Sequence, residues 1–211
     1  MTAPHDFLAH LSACRLVAII RGVQPHEAEA IGDALFEAGL RIIEVPLNSP
    51  RPLESITRLA RRLGDRALIG AGTVLHVEQV AQVADAGGRI VVSPGMDQAV
   101  IEATVAAGMV SAPGYFTPSE AFAALKAGAH ALKLFPAEAA GPAVVKAQRA
   151  VLPPDVPLLV VGGITADKMA GYLAAGADGF GLGGALYKAG QPPAQVAEQA
   201  RDFVAALEQE R

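Results

Sequence analysis

Short runs of apolar and β-branched residues recur about every 20 to 26 residues along the chain, and alanine-rich stretches with helical periodicity separate them. Strands that alternate with helices in this way are typical of a parallel α/β fold. The pattern predicts eight strands: Leu16–Ile20, Arg41–Val45, Ala67–Ala71, Arg89–Ser93, Met109–Pro113, Ala129–Phe135, Val156–Val161 and Asp178–Leu182.

The segments between these runs predict helices, and a further helix is expected before the first strand. Thr117 and Pro118 form a typical helix start, with Thr117 as the N-cap. The predicted helices are Asp6–Ala13, Pro25–Ala38, Pro52–Leu63, Val77–Ala86, Gln98–Ala107, Pro118–Ala127, Pro142–Val151, Ala166–Ala175 and Pro193–Leu207. Glycine follows most of them, as expected for a left-handed residue that ends a helix, at Gly39, Gly64, Gly87, Gly108, Gly128 and Gly176.

Eight β/α units in 211 residues predict a compact (β/α)8 TIM barrel with an extra N-terminal helix. No Pro/Ser-rich linker or charge run divides the chain, so we expect residues 1–211 to form one domain. A doubly wound open sheet is the alternative fold. It is disfavoured because its first turn would normally carry a glycine-rich dinucleotide or phosphate motif, which is absent here.

Composition and charge exclude several functional classes. With 52% hydrophobic and 18% charged residues, the chain can bury a large core. Its net charge of −4 argues against a general nucleic-acid binder. No apolar run approaches the roughly 18 residues of a membrane span, and no signal peptide is visible. The single cysteine, Cys14, fits a reducing compartment, so we expect a cytoplasmic protein without nucleic-acid or membrane partners.

Lys133 is the most informative residue, because it lies in the middle of a short apolar strand. Alternation along that strand puts Ala131, Lys133 and Phe135 on one face and two leucines on the other. If both faces are covered, low dielectric favours the neutral amine, which is the nucleophile that a Schiff-base enzyme needs. The alternative is a lysine at a strand end whose amine reaches water.

Glu44 is a second charged residue inside an apolar strand, between Ile43 and Val45. If Glu44 and Lys133 both point into a barrel, they could form a buried ion pair with a purely structural role. The functional interpretation is a general acid/base beside an amine nucleophile. Their position near the C-terminal ends of their strands, where barrel active sites lie, favours the functional interpretation.

Two glycine pairs follow the last two predicted strands. Gly162 and Gly163 come after the seventh strand, and Gly183 and Gly184 come after the eighth. In (β/α)8 barrels these loops commonly hold a phosphate through backbone N–H groups and a helix N-terminus. We therefore predict a phosphate site at these loops, although each glycine could serve only as a turn.

Two more polar residues follow strands at the same end of the barrel. Arg21 could bind a carboxylate with both guanidinium nitrogens or could form a salt bridge at the rim. Thr73 could direct its hydroxyl at a substrate or could cap the next helix. We predict no metal site, because the histidines are dispersed along the chain, at His5, His10, His26, His76 and His130.

Five segments of the chain carry a family resemblance: Ile20–Gly22, Glu44–Pro50, Ile69–Thr73, Ala131–Pro136 and Val161–Gly163. Together they resemble the pyruvate-dependent class I aldolases that cleave 2-keto-3-deoxy-6-phospho sugar acids, the KDPG/KHG aldolase family. The resemblance covers nearly the whole chain. Within the family, the segment that begins at Glu44 resembles the galactonate-type members, since the gluconate-type members usually have Glu-x-Thr-Leu-Arg there.

The resemblance implies a mechanism and a role for each candidate residue. Lys133 would form the Schiff base and Glu44 would transfer protons, giving pyruvate and D-glyceraldehyde 3-phosphate without an organic cofactor. Arg21 and Thr73 match positions that hold the substrate carboxylate, and the two glycine pairs match the phosphate site. Many relatives have serine in place of Gly184, which predicts a lower phosphate affinity here. The family also implies a homotrimer.

Asn48 and Val161 are expected at the mouth of the barrel, beside the middle of the substrate. Gluconate-type relatives tend to have arginine at the first position and threonine at the second. A valine cannot form the hydrogen bond that a threonine hydroxyl offers to a C4 hydroxyl group of one configuration. We therefore expect the galactonate epimer to be preferred.

Three other functions remain open from the sequence. The same chemistry could act on the gluconate epimer or on 4-hydroxy-2-oxoglutarate. A phosphate-binding barrel isomerase or synthase would not form a Schiff base. A non-catalytic phosphosugar-binding protein would keep the glycine loops but would have no need for Lys133 and Glu44 together.

Overall fold

The computed structural model describes residues 3–209, in which strands and helices alternate as predicted. The strands are β1 Leu16–Ile19, β2 Ile42–Pro46, β3 Leu68–Gly72, β4 Ile90–Val92, β5 Val110–Ala112, β6 Gly114–Tyr115, β7 Leu132–Leu134, β8 Leu158–Val161 and β9 Gly179–Leu182. The helices are α1 Ala3–Ala13, α2 Pro25–Glu37, α3 Pro52–Leu63, α4 Val77–Asp85, α5 Gln98–Ala106, α6 Pro118–Lys126, α7 Pro142–Arg149, α8 Ala166–Ala174 and α9 Pro193–Glu208. Two short 3₁₀ turns cover Gly64–Arg66 and Ala137–Ala139.

The strands form one parallel sheet in the order β5-β4-β3-β2-β1-β9-β8-β7-β6. Its two ends, β5 and β6, are separated in the chain only by Pro113. The Lys133 N–H donates to the Pro113 carbonyl at 3.0 Å, and the Gly114 N–H donates to the Ser93 carbonyl at 3.0 Å. The sheet is therefore closed into a barrel through this proline, and the open-sheet alternative is wrong.

Between residues 3 and 209 the structure has nine strands instead of the eight predicted, and Pro113 accounts for the additional one. Proline lacks an N–H, so it interrupts the hydrogen-bond ladder of the predicted strand Met109–Pro113. The chain nevertheless stays extended through Tyr115, whose carbonyl accepts a hydrogen bond from the Phe135 N–H at 3.1 Å. The fifth barrel strand is thus one extended segment that Pro113 divides into β5 and β6.

Alternate side chains of the strands form two separate apolar clusters. One cluster fills the barrel and includes Val17 and Ile19 of β1, whereas Leu16 and Ala18 of the same strand belong to the cluster between sheet and helices. Residues Phe7 and Leu11 of α1 join the interior cluster. Helix α1 therefore closes the end of the barrel at which the strands begin, and it leaves the opposite end for ligands.

Helix ends follow the predicted turn chemistry. The six glycines expected after helices all have positive φ, from 54° at Gly64 to 110° at Gly39. Thr117 caps α6, because its Oγ1 accepts a hydrogen bond from the Glu120 N–H at 3.4 Å, and the Glu120 carboxylate in turn accepts one from the Thr117 N–H at 2.8 Å. Within residues 3–209, no helix combines the length and the apolar character that crossing a membrane requires.

Candidate active site

Lys133 and Glu44 face each other across the interior of the barrel. Glu44 lies in β2 and Lys133 in β7, and they are only 2% and 7% exposed. Both line a cavity of about 10 Å³, which is roughly the size of one water molecule. The other lining residues are almost entirely apolar: Val17, Ile19, Ile90, Val92, Leu159, Val161 and Gly181.

This burial shifts both groups toward their neutral forms. Burial raises the pKa of Glu44 from 4.5 to about 7, although the positive charges of Lys133 and Arg21 oppose the shift. Burial also lowers the pKa of Lys133 below its usual value of 10.5, and Glu44 opposes that shift. Glu44 Oε2 has no hydrogen-bond partner among the described residues. A neutral amine is nucleophilic, and a carboxyl group that titrates near neutrality can both accept and donate a proton.

Gly72, at the end of β3, provides the space for the Glu44 carboxylate. A Cβ atom at this position would lie 2.0 Å from Glu44 Oε2 and 2.3 Å from its Cδ. Any side chain at position 72 would therefore push the carboxylate away from its present position. On the other side of the cavity, the Lys133 amine lies 4.9 Å from the centre of the Phe135 ring.

Arg21, Asn48 and Thr73 lie together at the rim, as their positions after β1, β2 and β3 predicted. The Arg21 guanidinium donates to Asn48 Oδ1 and lies 3.5 Å from Thr73 Oγ1. Thr73 has a φ of 57°, which is unusual for a β-branched residue and typical of strained positions at functional sites. The helix-cap alternative for Thr73 is wrong, because α4 begins only after His76.

A cavity of about 610 Å³ opens at this end of the barrel. It shares Ile19, Val161 and Gly181 with the small interior cavity, so the large cavity lies directly over the buried pair. The predicted residues that line it are Arg21, Val161, Gly162, Gly163, Gly183 and Gly184. The structure thus brings the glycine pairs and the rim arginine around one opening.

The first glycine pair, after β8, has a left-handed backbone conformation. Gly162 and Gly163 have φ values of 114° and 60°, which other residues rarely adopt. Helix α8 begins shortly afterwards, at Ala166. At Gly184 a Cβ would meet nothing within 4 Å, so a serine would fit there without rearrangement.

Some residues at the site were not predicted from the sequence. Glu138 and Lys188 line the large cavity, and a Cβ at Gly162 would lie 2.2 Å from Glu138 Oε2. Glu138 lies in a 3₁₀ turn after β7, and no sequence pattern distinguished it from an ordinary exposed acid. Within residues 3–209, no group of three or more His, Cys, Asp or Glu side chains could hold a metal ion.

Comparison with known proteins gives consistent matches. The family model "Aldolase: KDPG and KHG aldolase" matches residues 8–195. The chain is 48% identical to the "Probable 2-dehydro-3-deoxy-6-phosphogalactonate aldolase" of Rhizobium meliloti (strain 1021), covering 92% of this chain and 91% of that protein. It is also 48% identical to the 2-dehydro-3-deoxy-6-phosphogalactonate aldolase of Escherichia coli (strain K12), covering 90% and 93%. A solved structure described as "Native KDPGal structure" is 47% identical, with a TM-score of 0.91 over 92% of this chain and 95% of that chain.

The raised pKa of Glu44 predicts a pH-dependent effect of Glu44→Gln on stability. The folded wild type favours the protonated carboxyl group of Glu44 over the ionised one. The wild type therefore loses stability as the pH rises from 4.5 to about 7, because the buried carboxyl group must ionise. The variant lacks this loss, so its stability relative to the wild type should increase by on the order of 3 kcal/mol across that window. Urea unfolding at about pH 5 and about pH 8 measures the difference. A difference that stays constant with pH would contradict a buried, uncharged carboxyl group.

Proposed function

The chain belongs to the KDPG and KHG aldolase family, and on that premise we propose that it cleaves 2-dehydro-3-deoxy-6-phosphogalactonate through a Schiff base on Lys133. Members of this family are carbon–carbon lyases that act on sugar acids, which separates the chain from barrel isomerases and from binding proteins. The observation that carries the proposal is the buried amine and carboxyl group facing one small cavity. The products would be pyruvate and D-glyceraldehyde 3-phosphate.

The first half of the reaction uses the neutral amine of Lys133. The amine attacks the C2 ketone and forms a carbinolamine, which loses water to give an iminium ion. Glu44 would donate a proton to the C2 hydroxyl of the carbinolamine so that this hydroxyl leaves as water, as a carboxyl group that titrates near pH 7 can do. Burial of the amine supports this step, because it favours the unprotonated form before substrate arrives.

The second half breaks the C3–C4 bond. Glu44, now ionised, would take the proton of the C4 hydroxyl, directly or through one water molecule in the interior cavity. The C3–C4 bonding electrons move into the iminium ion to give an enamine, and the aldehyde leaves. Protonation of the enamine at C3 and hydrolysis of the resulting imine release pyruvate and restore the lysine.

The two ends of the substrate would be held at different parts of the rim. Arg21, which is hydrogen-bonded to Asn48 and close to Thr73, is suited to the carboxylate end. The phosphate would lie at the glycine loops after β8 and β9, near the N-terminus of α8. The positive φ values of Gly162 and Gly163 support this assignment.

The exposed apolar residues support a further part of the proposal, which is assembly into a homotrimer as the resemblance implies. Four large apolar side chains with 38–49% exposure lie on or next to α4 and α6: Leu75, Val77, Phe116 and Phe122. A subunit interface would remove such surface from water.

We also propose a cytoplasmic location, on the basis of the single cysteine.

Trapping with borohydride and pyruvate tests the central step. Pyruvate should form an imine with Lys133, and reduction should add one stable adduct to the peptide that contains this residue. Lys133→Arg should form no adduct and should lose turnover, because a guanidinium does not deprotonate to attack. Lys126→Arg, on the exposed side of α6, is the matched control and should behave as the wild type. An adduct on another peptide, or none, would refute the mechanism.

Val161 provides the test of substrate preference. Wild-type protein should cleave the galactonate epimer with a higher kcat/KM than the gluconate epimer. Val161→Thr should move the ratio of kcat/KM toward the gluconate epimer by roughly tenfold, equivalent to about 1.4 kcal/mol, because the new hydroxyl can bind a C4 hydroxyl group.

The control is Val144→Thr, the same substitution at an exposed position of α7, and it should leave the ratio of kcat/KM for the two epimers unchanged. A wild type that prefers the gluconate epimer would favour the second candidate substrate, 2-dehydro-3-deoxy-6-phosphogluconate. An unchanged ratio in Val161→Thr would mean that this wall of the cavity does not select the epimer.

A further inference from the structure

We propose that Ser49 is a positioning residue, which fixes the turn that carries Arg21 and thereby sets the binding of the substrate carboxylate. The inference rests on the proposed function, because it takes the role of Arg21 from there. Ser49 does not line the large cavity and need not touch the substrate. Its effect would be transmitted through the backbone of the loop after β1.

Ser49 forms a buried contact between two loops at the rim. It is 8% exposed, and its Oγ accepts a hydrogen bond from the Gly22 N–H at 2.9 Å. Its own N–H donates to the Pro46 carbonyl at 2.9 Å, so the hydroxyl is held by a turn at the end of β2. The hydroxyl therefore provides a fixed acceptor for the loop after β1.

Gly22 is the residue through which this contact controls Arg21. The chain turns sharply here, with a φ of 87° at Gly22 and a hydrogen bond from the Val23 N–H to the Ile20 carbonyl at 3.3 Å. A Cβ on Gly22 would lie 3.0 Å from the Cβ of Ala189, in the loop after β9. The turn is thus held between the loop after β2 on one side and the loop after β9 on the other.

The same loop after β2 also receives the Arg21 side chain. The guanidinium donates to Asn48 Oδ1, next to Ser49 in the chain. The backbone of the turn and the charged end of its arginine are therefore both bound to one short segment, residues 48–49. These two attachments define where the guanidinium lies in the cavity. Loss of the hydrogen bond from the Gly22 N–H to Ser49 Oγ should let the guanidinium shift.

The expected kinetic effect is confined to substrate binding. Ser49→Ala leaves the Gly22 N–H without its acceptor, and one such hydrogen bond corresponds to an increase in KM of about three- to tenfold. Glu44 of β2 and Lys133 of β7 lie in the barrel interior, below the rim, so kcat should stay within about twofold of the wild type. Ser49→Thr keeps the hydroxyl and should restore the wild-type KM.

A double-mutant cycle separates positioning from general structural support. If Ser49 acts through Arg21, Ser49→Ala should raise KM in the wild type and have no further effect in the Arg21→Ala background. Equal effects in the two backgrounds would overturn the inference, and so would an unchanged KM in Ser49→Ala. If Ser49→Ala does not fold, Ser49→Cys replaces it in the cycle, since a thiol is a weaker acceptor of similar size.

Ser55→Ala is the matched control. Ser55 is a fully buried serine of α3 whose Oγ has no hydrogen-bond partner among the described residues, so its removal should leave KM unchanged. Wild-type protein that does not cleave the sugar acid would contradict the proposed function. Wild-type cleavage with no effect of Arg21→Ala or Ser49→Ala would contradict only the present inference.

Discussion

The burial of one amine and one carboxyl group inside an apolar barrel is the constraint on which the rest of the structure depends. Charged groups in low dielectric are costly, and both groups respond by favouring their neutral forms. A buried pair of this kind adds little to stability, so folding alone does not explain its presence. In the function we propose, the neutral amine is the nucleophile and the carboxyl group transfers protons.

The barrel supplies what this pair needs at three levels. Strand alternation directs both side chains to the interior, and Gly72 leaves room for the carboxylate of Glu44. The closure through Pro113 fixes the strand of Lys133, because its N–H donates to that proline carbonyl. At the rim, Arg21 and the glycine loops line the large cavity, and in the proposed function they bind the two ends of the substrate. Stability and function thus use different layers of the same barrel.

Much of this arrangement could be predicted from the sequence, because its signals are local. Strand periodicity, helix-ending glycines and charged residues inside apolar strands located the elements and the pair Lys133 and Glu44. The split of the fifth strand at Pro113 could not be predicted, since only the neighbouring strands show that the segment stays extended. Glu138, Ser49 and Gly72 were missed for the same reason, because their contacts join loops and strands that are distant in the chain.

The most direct test of the central claim is the titration of the Lys133 amine itself. Its pKa can be measured from the pH dependence of its acetylation by limiting acetic anhydride, with the peptide quantified by mass spectrometry against unfolded protein. We expect a pKa below the ordinary value of 10.5, and a still lower value in Glu44→Gln, because Glu44 favours the charged amine. A pKa at or above 10.5 in the wild type would contradict the claim that burial prepares the nucleophile.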